Sequence, residues 1–272
     1  MSTPVALTVA GSDPSGGAGI QADLKTFSAL GVYGTAVLTA LTAQNTRGVS
    51  GVHPVPAAFV GEQIATLLAD VTVHAAKTGM LGTADVVREV AAALAGRAAG
   101  PVVVDPVMVA TSGDRLVDDD AVAAVREVLL PVADLVTPNV PEAAALLDVA
   151  PATSVEELAA QAGALLELGP GAVLAKGGHL GGAESLDVLA TADGVVVTRR
   201  PRVDTTATHG TGCTLSSAIA ALVARGVGGP ARWEPAVERA RDYLQVALTR
   251  GAALGIGSGH GPVHHFAGIW ER

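Results

Sequence analysis

The chain has 272 residues, of which 49% are hydrophobic but only 3% aromatic, so Ala, Val and Leu must fill most of its core. A net charge of −9 at pH 7 excludes the usual nucleic-acid-binding surface, which needs a basic stripe to neutralise phosphates. The single cysteine, Cys213, excludes an internal disulfide framework and a cysteine-based zinc site.

The first residues carry no targeting signal. MSTPVALTVAGSD has neither a basic region nor an uninterrupted apolar stretch of the signal-peptide type. No apolar run in the chain approaches the roughly 20 residues needed to cross a bilayer. We therefore expect a cytoplasmic protein that does not bind membranes.

Short apolar runs alternate with helical patterns along the chain. The hydrophobic periodicity predicts strands at 4–11, 35–45, 74–81, 101–108, 134–139 and 172–178, and a hairpin at 187–203 that turns at Asp193-Gly194. It predicts helices at 19–31, 56–71, 84–96, 119–133, 141–149, 154–169, 212–225 and about 235–254. The helix at 154–169 opens with Ser154 and Glu157, which have the spacing of a capping box.

Unbroken apolar strands between helices predict an α/β fold with a mostly parallel sheet covered on both faces. No linker or change of composition divides the chain, so we expect one domain over residues 1–272 and no fused second domain. In such sheets ligands bind beyond the carboxyl ends of the strands. Unusual polar residues follow six of the apolar runs: Gly11-Ser12-Asp13, Gln44-Asn45, Lys77-Thr78-Gly79, Asp105-Pro106, Thr137-Pro138-Asn139 and Lys176-Gly177-Gly178.

The loop GSDPSGGAG at 11–19 is the first candidate binding segment. Its glycines, including Gly11, would let a small ligand approach the backbone, and Asp23 follows one helical turn further on. Its spacing matches neither a dinucleotide fingerprint nor a Walker A loop. A plain turn between a strand and a helix explains the loop equally well.

The second candidate is HGTGC at 209–213. Gly210, Thr211 and Gly212 would present backbone N–H groups at the positive end of the following helix, where they could stabilise a phosphoryl group during transfer. A cysteine at a helix N terminus usually has a lowered pKa, so we expect Cys213 to be an acidic, accessible base or nucleophile. The alternatives are an ordinary glycine turn and a buried structural cysteine.

Asp105, Asn139 and Glu142 form an oxygen-bearing group at neighbouring strand ends. Such oxygens suit Mg²⁺, which binds few carboxylates together with water and phosphate oxygens. Asn139 and Glu142 also have the spacing of a capping box. A metal site and a helix cap therefore explain the pair equally well.

Lysines are rare in this chain, which has only Lys25, Lys77 and Lys176. Lys176 follows a buried strand and precedes two glycines, so it could pair with a nucleotide phosphate; Lys77, similarly placed, is the weaker candidate. The amide of Gln44 suits the edge of a heteroaromatic ring, although a buried amide with protein partners is the alternative.

Two further clusters have structural explanations. The histidines of GHGPVHHF at 259–266 lack cysteine or acidic partners, so we expect a C-terminal turn that docks on the body of the protein. RRPR at 199–202 is the only cationic cluster, and a solvated strand end explains it.

The ordered motifs resemble a known family. The chain is similar to the hydroxymethylpyrimidine/phosphomethylpyrimidine kinases of thiamine biosynthesis, of the ribokinase superfamily, in AGSDPSGGAGIQADLKTF, TALTAQNT, KTGML, DPVMVATSG, TPNVPEA, KGGH and HGTGCTLSSAIAA. The likeness runs from about residue 4 to about residue 266. It implies a ribokinase-like three-layer α/β/α fold and a homodimer.

The resemblance implies an ATP- and Mg²⁺-dependent kinase. The acceptor would be 4-amino-5-hydroxymethyl-2-methylpyrimidine, which would be phosphorylated first to its monophosphate and then to the diphosphate. At the matching positions, the pyrimidine would contact Gln44, Asp23, Met80 and Val107, beside Gly11. Asn139 and Glu142 would organise Mg²⁺ and phosphates, to which the strand-end carboxylate of Asp105 adds a further metal ligand. Lys176 would lie by the nucleotide, and the backbone of Gly210, Thr211 and Gly212 would form the anion hole.

Cys213 occupies the position at which the superfamily usually has an aspartate base. A thiolate base should matter more in the first step than in the second, whose acceptor is already an anion. Two alternative functions stay open. One is a pyridoxal kinase, because pyridoxal is a hydroxymethyl heterocycle of similar size. The other is a non-catalytic pyrimidine-binding protein, which would not need the phosphate-binding residues.

Overall fold

The computed structural model describes residues 3–109, 113 and 116–270, which form two sheets and eight α-helices with short helical turns. The strands are β1 (Val5–Ala10), β2 (Tyr33–Leu38), β3 (Ala40–Asn45), β4 (Gly48–Pro54), β5 (Ala75–Thr78), β6 (Val102–Val104), β7 (Leu135–Val136), β8 (Ala172–Lys176), β9 (Glu184–Thr191) and β10 (Gly194–Pro201). Eight of them form one sheet in the order β10-β9-β8-β7-β6-β5-β1-β2, while β3 and β4 pair with each other.

The central part of the large sheet is parallel. Six adjacent strands of this sheet are parallel to one another: β2, β1, β5, β6, β7 and β8. Strand β9 is antiparallel to both β8 and β10. Because parallel strands end at the same edge, the loops after β1, β5, β6, β7 and β8 lie together there. The mostly parallel sheet predicted from the sequence is confirmed.

Helices cover both faces of the sheet. They are α1 (Gly19–Ala29), α2 (Ala57–Leu68), α3 (Ala84–Ala95), α4 (Asp119–Ala124), α5 (Val140–Leu147), α6 (Val155–Leu166), α7 (Thr211–Ala224) and α8 (Glu234–Gly251). Buried side chains of α1, α7 and α8 join one core cluster, and those of α2 to α6 join the other. The three-layer α/β/α arrangement is therefore confirmed.

Strand β6 shows how one sequence supplies both cores. Val102 and Val104 belong to the cluster under α2 to α6, while Val103 belongs to the cluster under α7 and α8. Successive side chains of a strand point to opposite faces, so a strand buried on both faces must be apolar at every position. This is why the predicted strands were continuous apolar runs.

The helix starts follow the capping residues of the sequence. The Ser154 hydroxyl accepts a hydrogen bond from the Glu157 N–H at the start of α6, although the Glu157 carboxylate reaches the Thr153 N–H at 2.7 Å instead of closing the capping box. At α5, Asn139 and Glu142 form the complete reciprocal box. Caps of this kind satisfy N–H groups that have no acceptor within the helix.

The strand predicted over 35–45 is two strands. β2 pairs with β1 as far as Leu38, which faces Ala10, the last residue of β1. β3 then finds a different partner in β4 and forms a separate hairpin. The apolar run hides this change of partner, and β4, with its two glycines and a proline, has too weak a strand pattern to predict.

The hairpin predicted at 187–203 is confirmed as β9 and β10. Across the described ranges, no helix combines the length and the apolar character that crossing a bilayer requires.

Candidate active site

Helix α7 brings the HGTGC segment to the middle of the sheet edge. Ten of its residues, from Thr214 to Val223, are buried, so the helix is apolar or small on all sides and packs between α1, α8 and strands β1, β5 and β6. Its N terminus therefore lies over the carboxyl ends of the central strands, where the partial positive charge of the helix is directed.

The turn before α7 has a backbone that only glycine adopts easily. Gly210 has a φ of 78°, and a Cβ there would collide with the carbonyl oxygen of Gly17, so the two glycine-rich loops are in contact. The Thr211 N–H donates to the Thr208 carbonyl at 3.2 Å. Thr211 is thus engaged within the turn, whereas the N–H groups of Gly212 and Cys213 have no acceptor among the described residues and are available to an anion.

Lys176 lies directly against this helix terminus. Its ammonium is 2.8 Å from Asp105 Oδ1 and 3.8 Å from Glu142 Oε2. It would also lie 3.2 Å from a Cβ on Gly212, so only a glycine at position 212 leaves the space beside the ammonium open. Four predicted site residues therefore meet at one point: Asp105 directly after β6, Glu142 of α5, Lys176 of β8 and Gly212 of α7.

Asp105 is held by several donors. Its Oδ1 accepts from Thr137 and Lys176, and its Oδ2 accepts from Ser216 of α7 at 3.1 Å. Burial alone would raise the pKa of this carboxyl, but the ammonium groups of Lys176 and Lys77 outweigh it and lower the pKa below its usual value. Asp105 is therefore an anion that orients Lys176.

Glu142 has the opposite electrostatic balance. Burial and the nearby Asp105 carboxylate raise its pKa to about 7, against the opposing effect of Lys176. Its Oε2 accepts from the Asn139 N–H at 2.8 Å, and its own N–H donates to the Asn139 side chain. The two explanations of this pair are compatible, because the cap holds the Glu142 carboxylate at the site.

The residues predicted to contact the pyrimidine lie on the β1 and β5 side of this point. The backbone of Gly11 touches the Met80 side chain so closely that a Cβ at Gly11 would collide with it. Thr42 connects β3 to the loop after β1, donating to the Ser12 carbonyl at 2.8 Å and lying 3.2 Å from the Gln44 amide oxygen. Thr42 thus links the Gln44 side chain to the start of the glycine-rich loop at 11–19.

Val107 comes two residues after Asp105 and is half-buried. Its N–H donates to the Asp105 carbonyl at 2.8 Å, so its position follows from the tight turn after β6. Val107, Gly11, Met80 and Gln44 are therefore all associated with loops or strands that end at the same edge.

Asp23 is fully buried beside the α7 terminus and is held by protein donors. It has no exposed surface, and its carboxylate accepts from Thr8, Lys77 and Ser217 at distances of 2.6 to 3.0 Å. The Asp23 carboxylate also neutralises Lys77, whose pKa is raised because the nearby negative charges, that of Asp23 foremost, outweigh burial.

The expectation of an acidic thiol at Cys213 is wrong. Burial raises its pKa to about 11, and the carboxylates of Asp23 and Asp105 act in the same direction. The Lys77 ammonium and the N–H of Gly19 oppose this rise without reversing it. The helix N terminus alone therefore does not set the ionisation of this half-buried cysteine.

Sequence reasoning missed the pairing of Asp13 with His209. The His209 Nε2 lies 2.7 Å from Asp13 Oδ2, and the same carboxylate accepts from the N–H groups of Ser15, Gly17 and Ala18. A buried acid in one glycine loop and a histidine beside the other were visible signals. Their contact spans 196 positions of sequence, so the chain alone could not reveal it.

Two of the three C-terminal histidines dock as expected, whereas His260 is exposed. His264 and His265 are buried; the His265 ring lies 3.2 Å from the Thr214 hydroxyl of α7, and His264 packs edge-on against Trp270. The RRPR cluster is only partly a solvated strand end. Arg199 forms an exposed ion pair with Glu184, but Arg202 binds backbone carbonyls.

Known proteins are similar to this chain in sequence and in fold. A profile of the family described as phosphomethylpyrimidine kinase matches residues 13–264. The hydroxymethylpyrimidine/phosphomethylpyrimidine kinase of Escherichia coli is 51% identical over 265 residues, which cover 97% of this chain and 98% of that protein.

Solved structures agree with these matches. An ADP complex of Bacillus subtilis pyridoxal kinase matches with a TM-score of 0.89 at 34% identity, covering 99% of this chain and 100% of that one. A phosphomethylpyrimidine kinase from Clostridium difficile matches with a TM-score of 0.77 at 38% identity, covering 89% of this chain and 97% of that one.

Proposed function

Because the chain belongs to the phosphomethylpyrimidine kinase family, we propose that it transfers the terminal phosphoryl group of ATP to hydroxymethylpyrimidine and then to the resulting monophosphate. The two transfers make the pyrimidine diphosphate that thiamine diphosphate biosynthesis uses. The acceptor of the first transfer is an alcohol, and the acceptor of the second is a phosphate oxygen.

The cluster of Lys176, Asp105 and Glu142 at the N terminus of α7 is the observation that carries this proposal. Phosphoryl transfer depends mostly on positioning and on neutralising charge. The Gly212 and Cys213 N–H groups and the Lys176 ammonium converge where a transferring phosphoryl group would be stabilised. A protein that only binds pyrimidines would not need this arrangement.

The donor set suits Mg²⁺. Asp105 and Glu142 supply two carboxylates, and Mg²⁺ typically takes one or two carboxylates together with phosphate oxygens and water. Within the described ranges no cluster of three or more His, Cys, Asp or Glu could hold a metal ion. Asp105 and Glu142 would thus hold Mg²⁺ together with phosphate oxygens and water. Bound there, Mg²⁺ would neutralise charge on the phosphates, while Asn139 keeps Glu142 in place through the cap.

The strand order divides the site into two halves. Gly11, Met80 and Gln44 belong to the β1 and β5 side, where we place the pyrimidine. Lys176 and Asn139 belong to the β7 and β8 side, where we place the nucleotide, and their backbones are joined by an isolated β-bridge. Asp105 and the α7 terminus lie between the two sides, at the point of transfer.

Cys213 lies at the acceptor side of the α7 terminus, near the Gly19 N–H. A thiol whose pKa is about 11 is protonated at neutral pH, so it enters the reaction as a hydrogen-bond donor and a packing group. We propose that Cys213 orients the acceptor oxygen, while the N–H groups and Lys176 stabilise the charge.

A pyridoxal kinase is the second candidate. The observation in its favour is the TM-score of 0.89 with a pyridoxal kinase, although the overall sequence identity to that protein is 34%, compared with 51% to the Escherichia coli pyrimidine kinase. Both substrates are small heteroaromatic rings with a hydroxymethyl group. The Gln44 amide would therefore distinguish the two substrates by the hydrogen-bonding groups on the edge of the ring. The close contact between Gly11 and Met80 would distinguish them by the size of the ring.

Turnover with three acceptors tests the proposal. The enzyme with saturating ATP and Mg²⁺ is given hydroxymethylpyrimidine, its monophosphate or pyridoxal, and kcat/KM is measured for each. We expect both pyrimidines to exceed pyridoxal by at least about tenfold, since ring-edge hydrogen bonds discriminate strongly. A higher kcat/KM for pyridoxal would replace this proposal with the second candidate.

We further propose that the enzyme acts in the cytoplasm as a homodimer, as the family resemblance implies. Light scattering coupled to gel filtration measures the mass directly. A mass near twice 26.9 kDa supports the dimer, and a mass near 26.9 kDa contradicts it.

A further inference from the structure

Arg202, directly after β10, is exposed, yet its guanidinium binds backbone carbonyls. Its Nε donates to the Gly182 carbonyl at 2.8 Å, its Nη1 to Gly178 at 2.9 Å, and its Nη2 to Gly181 at 2.9 Å and Glu184 at 3.2 Å. One planar guanidinium thus holds three carbonyls of a single loop and that of the strand residue after it. This contact set is not explained by a solvated strand end.

The loop in question, the β8–β9 loop, comprises residues 177–183 and leads into Glu184, the first residue of β9. It contains four glycines, and Gly181 and Gly182 have φ values of 76° and 83°. At Gly178, Gly181 and Gly182 a Cβ would meet nothing within 4 Å, so these three positions have no side-chain packing; Leu180 alone packs against the core from this loop. Hydrogen bonds must therefore supply most of the constraint on the glycine positions, because glycine backbone is otherwise the most mobile.

Hydrogen bonds hold both the first residue of the loop, Gly177, and the glycine-rich part that follows it. At its start, the Gly177 N–H donates to the Leu186 carbonyl at 2.8 Å and to Asp187 Oδ1 at 3.1 Å. Over the remainder, Arg202 supplies the four side-chain donors, and its own N–H donates to the Ala183 carbonyl at 2.9 Å. Arg202 is the residue that reaches the glycine-rich part.

The β8–β9 loop begins directly after Lys176, on the nucleotide side of the sheet edge. Burial and the nearby charges of Lys176 and Arg202 lower the pKa of His179, which shows that this loop residue lies close to both cations. The loop therefore borders the place where we put the nucleotide phosphates, beside Lys176. A change in the loop would therefore change nucleotide binding more than pyrimidine binding.

We propose that Arg202 is a positioning residue for the nucleoside triphosphate, acting by fixing the backbone of the β8–β9 loop beside Lys176. This inference rests on the proposed kinase function. Lysine could not replace the arginine, because a single ammonium lacks the planar fork that reaches four carbonyls from one side chain. The role of the guanidinium is thus geometric and goes beyond its charge.

Substitution of Arg202 with two different residues tests this role. Arg202→Met removes the donors, and Arg202→Lys keeps the charge without the fork. For both variants we expect the KM for ATP, and the Kd for a non-hydrolysable ATP analogue, to rise about tenfold. The KM for the pyrimidine should stay within twofold, and hydrogen exchange at residues 177–184 should accelerate. Arg225→Met is the matched control, since the exposed Arg225 also binds a backbone carbonyl, that of Leu30, far from this edge.

Three results would overturn the proposal. They are a KM for ATP within threefold of that of the unmodified enzyme, equal rises in both KM values, and full rescue by Arg202→Lys. The measurement of analogue binding needs no acceptor. If the unmodified enzyme phosphorylated no pyrimidine, the proposed function would fail, while the binding data would still decide the role of Arg202.

Discussion

The thiol of Cys213 lies near charges of both signs, the Lys77 ammonium and the carboxylates of Asp23 and Asp105. We predict that alkylation by iodoacetamide at pH 8 is about 100-fold slower than that of a small free thiol. With a pKa of about 11, only about one thiol in a thousand is ionised at that pH. The rate should keep rising up to about pH 11. Because the chain has one cysteine, Cys213→Ala is an unreactive control. A rate that levels off below pH 9 would contradict this account.

Replacement of Cys213 also distinguishes a base from an orienting group. A thiolate base would make Cys213→Ala slow the alcohol step far more than the phosphate step. Since the raised pKa leaves the thiol protonated, we predict losses in kcat within threefold of each other in the two steps. Single-turnover measurements on each acceptor give the comparison. A loss tenfold larger in the first step would restore the base role.

His265 gives a prediction about stability and pH. Burial, assisted by Lys25, His264 and His209, lowers its pKa to about 3. Between pH 7 and pH 5 the unfolded chain takes up a proton here that the folded protein does not, so the free energy of unfolding falls as the pH falls. This residue contributes about 2 kcal/mol to that fall.

Urea unfolding at pH 7 and pH 5 measures this contribution. His265→Gln keeps a polar partner for Thr214 but does not titrate, so the variant should lose about 2 kcal/mol less than the unmodified protein over this range. His260→Gln is the matched control, because His260 is exposed. Identical pH dependence in the unmodified protein and His265→Gln would show that His265 titrates normally.

Two glycine-rich loops are joined into one element by Asp13 and His209. The 2.7 Å contact holds residues 11–19 against the turn before α7. Burial opposes ionisation of Asp13, but the hydrogen bond from His209 and that from Ser15 lower its pKa. The loops therefore support each other, and neither is rigid through its own sequence alone.

A double-mutant cycle tests this link between loops. Asp13→Asn and His209→Gln should each lower the free energy of unfolding by about 1–3 kcal/mol, and the double variant should lose less than the sum. Each should also lower kcat by about tenfold or more, since the loop carrying Gly210 would shift by a fraction of an ångström. Strictly additive losses in both quantities would mean that the two side chains act independently.

The helices and central strands were predictable because their patterns are local. Continuous valine-rich runs indicate strands buried on both faces, and Ser154 and Asn139 mark helix starts. The β3–β4 hairpin was not predictable. Its tip depends on distant contacts, such as the 2.9 Å hydrogen bond from Arg47 to Ser258, which are 211 positions apart in the chain.

For the whole molecule, the sequence predicted that polar strand ends would meet at one edge, and Asp105, Glu142 and Lys176 do meet there. It did not predict which polar residues would be buried in ion pairs beside that edge. Lys77 and Asp23 are in the right segments, but alternation along β5 directs Lys77 under α7, where Asp23 neutralises it. Side-chain direction and long-range pairing decide such cases, and local patterns do not contain them.

The central claim is that one site performs two successive phosphoryl transfers. The most direct test is the product series from hydroxymethylpyrimidine with excess ATP and Mg²⁺, resolved over time into monophosphate and diphosphate. We predict that the monophosphate appears first and is then converted to the diphosphate, with one ATP consumed for each step. Accumulation of monophosphate without any diphosphate, or ATP consumption without a phosphorylated pyrimidine, would contradict the account.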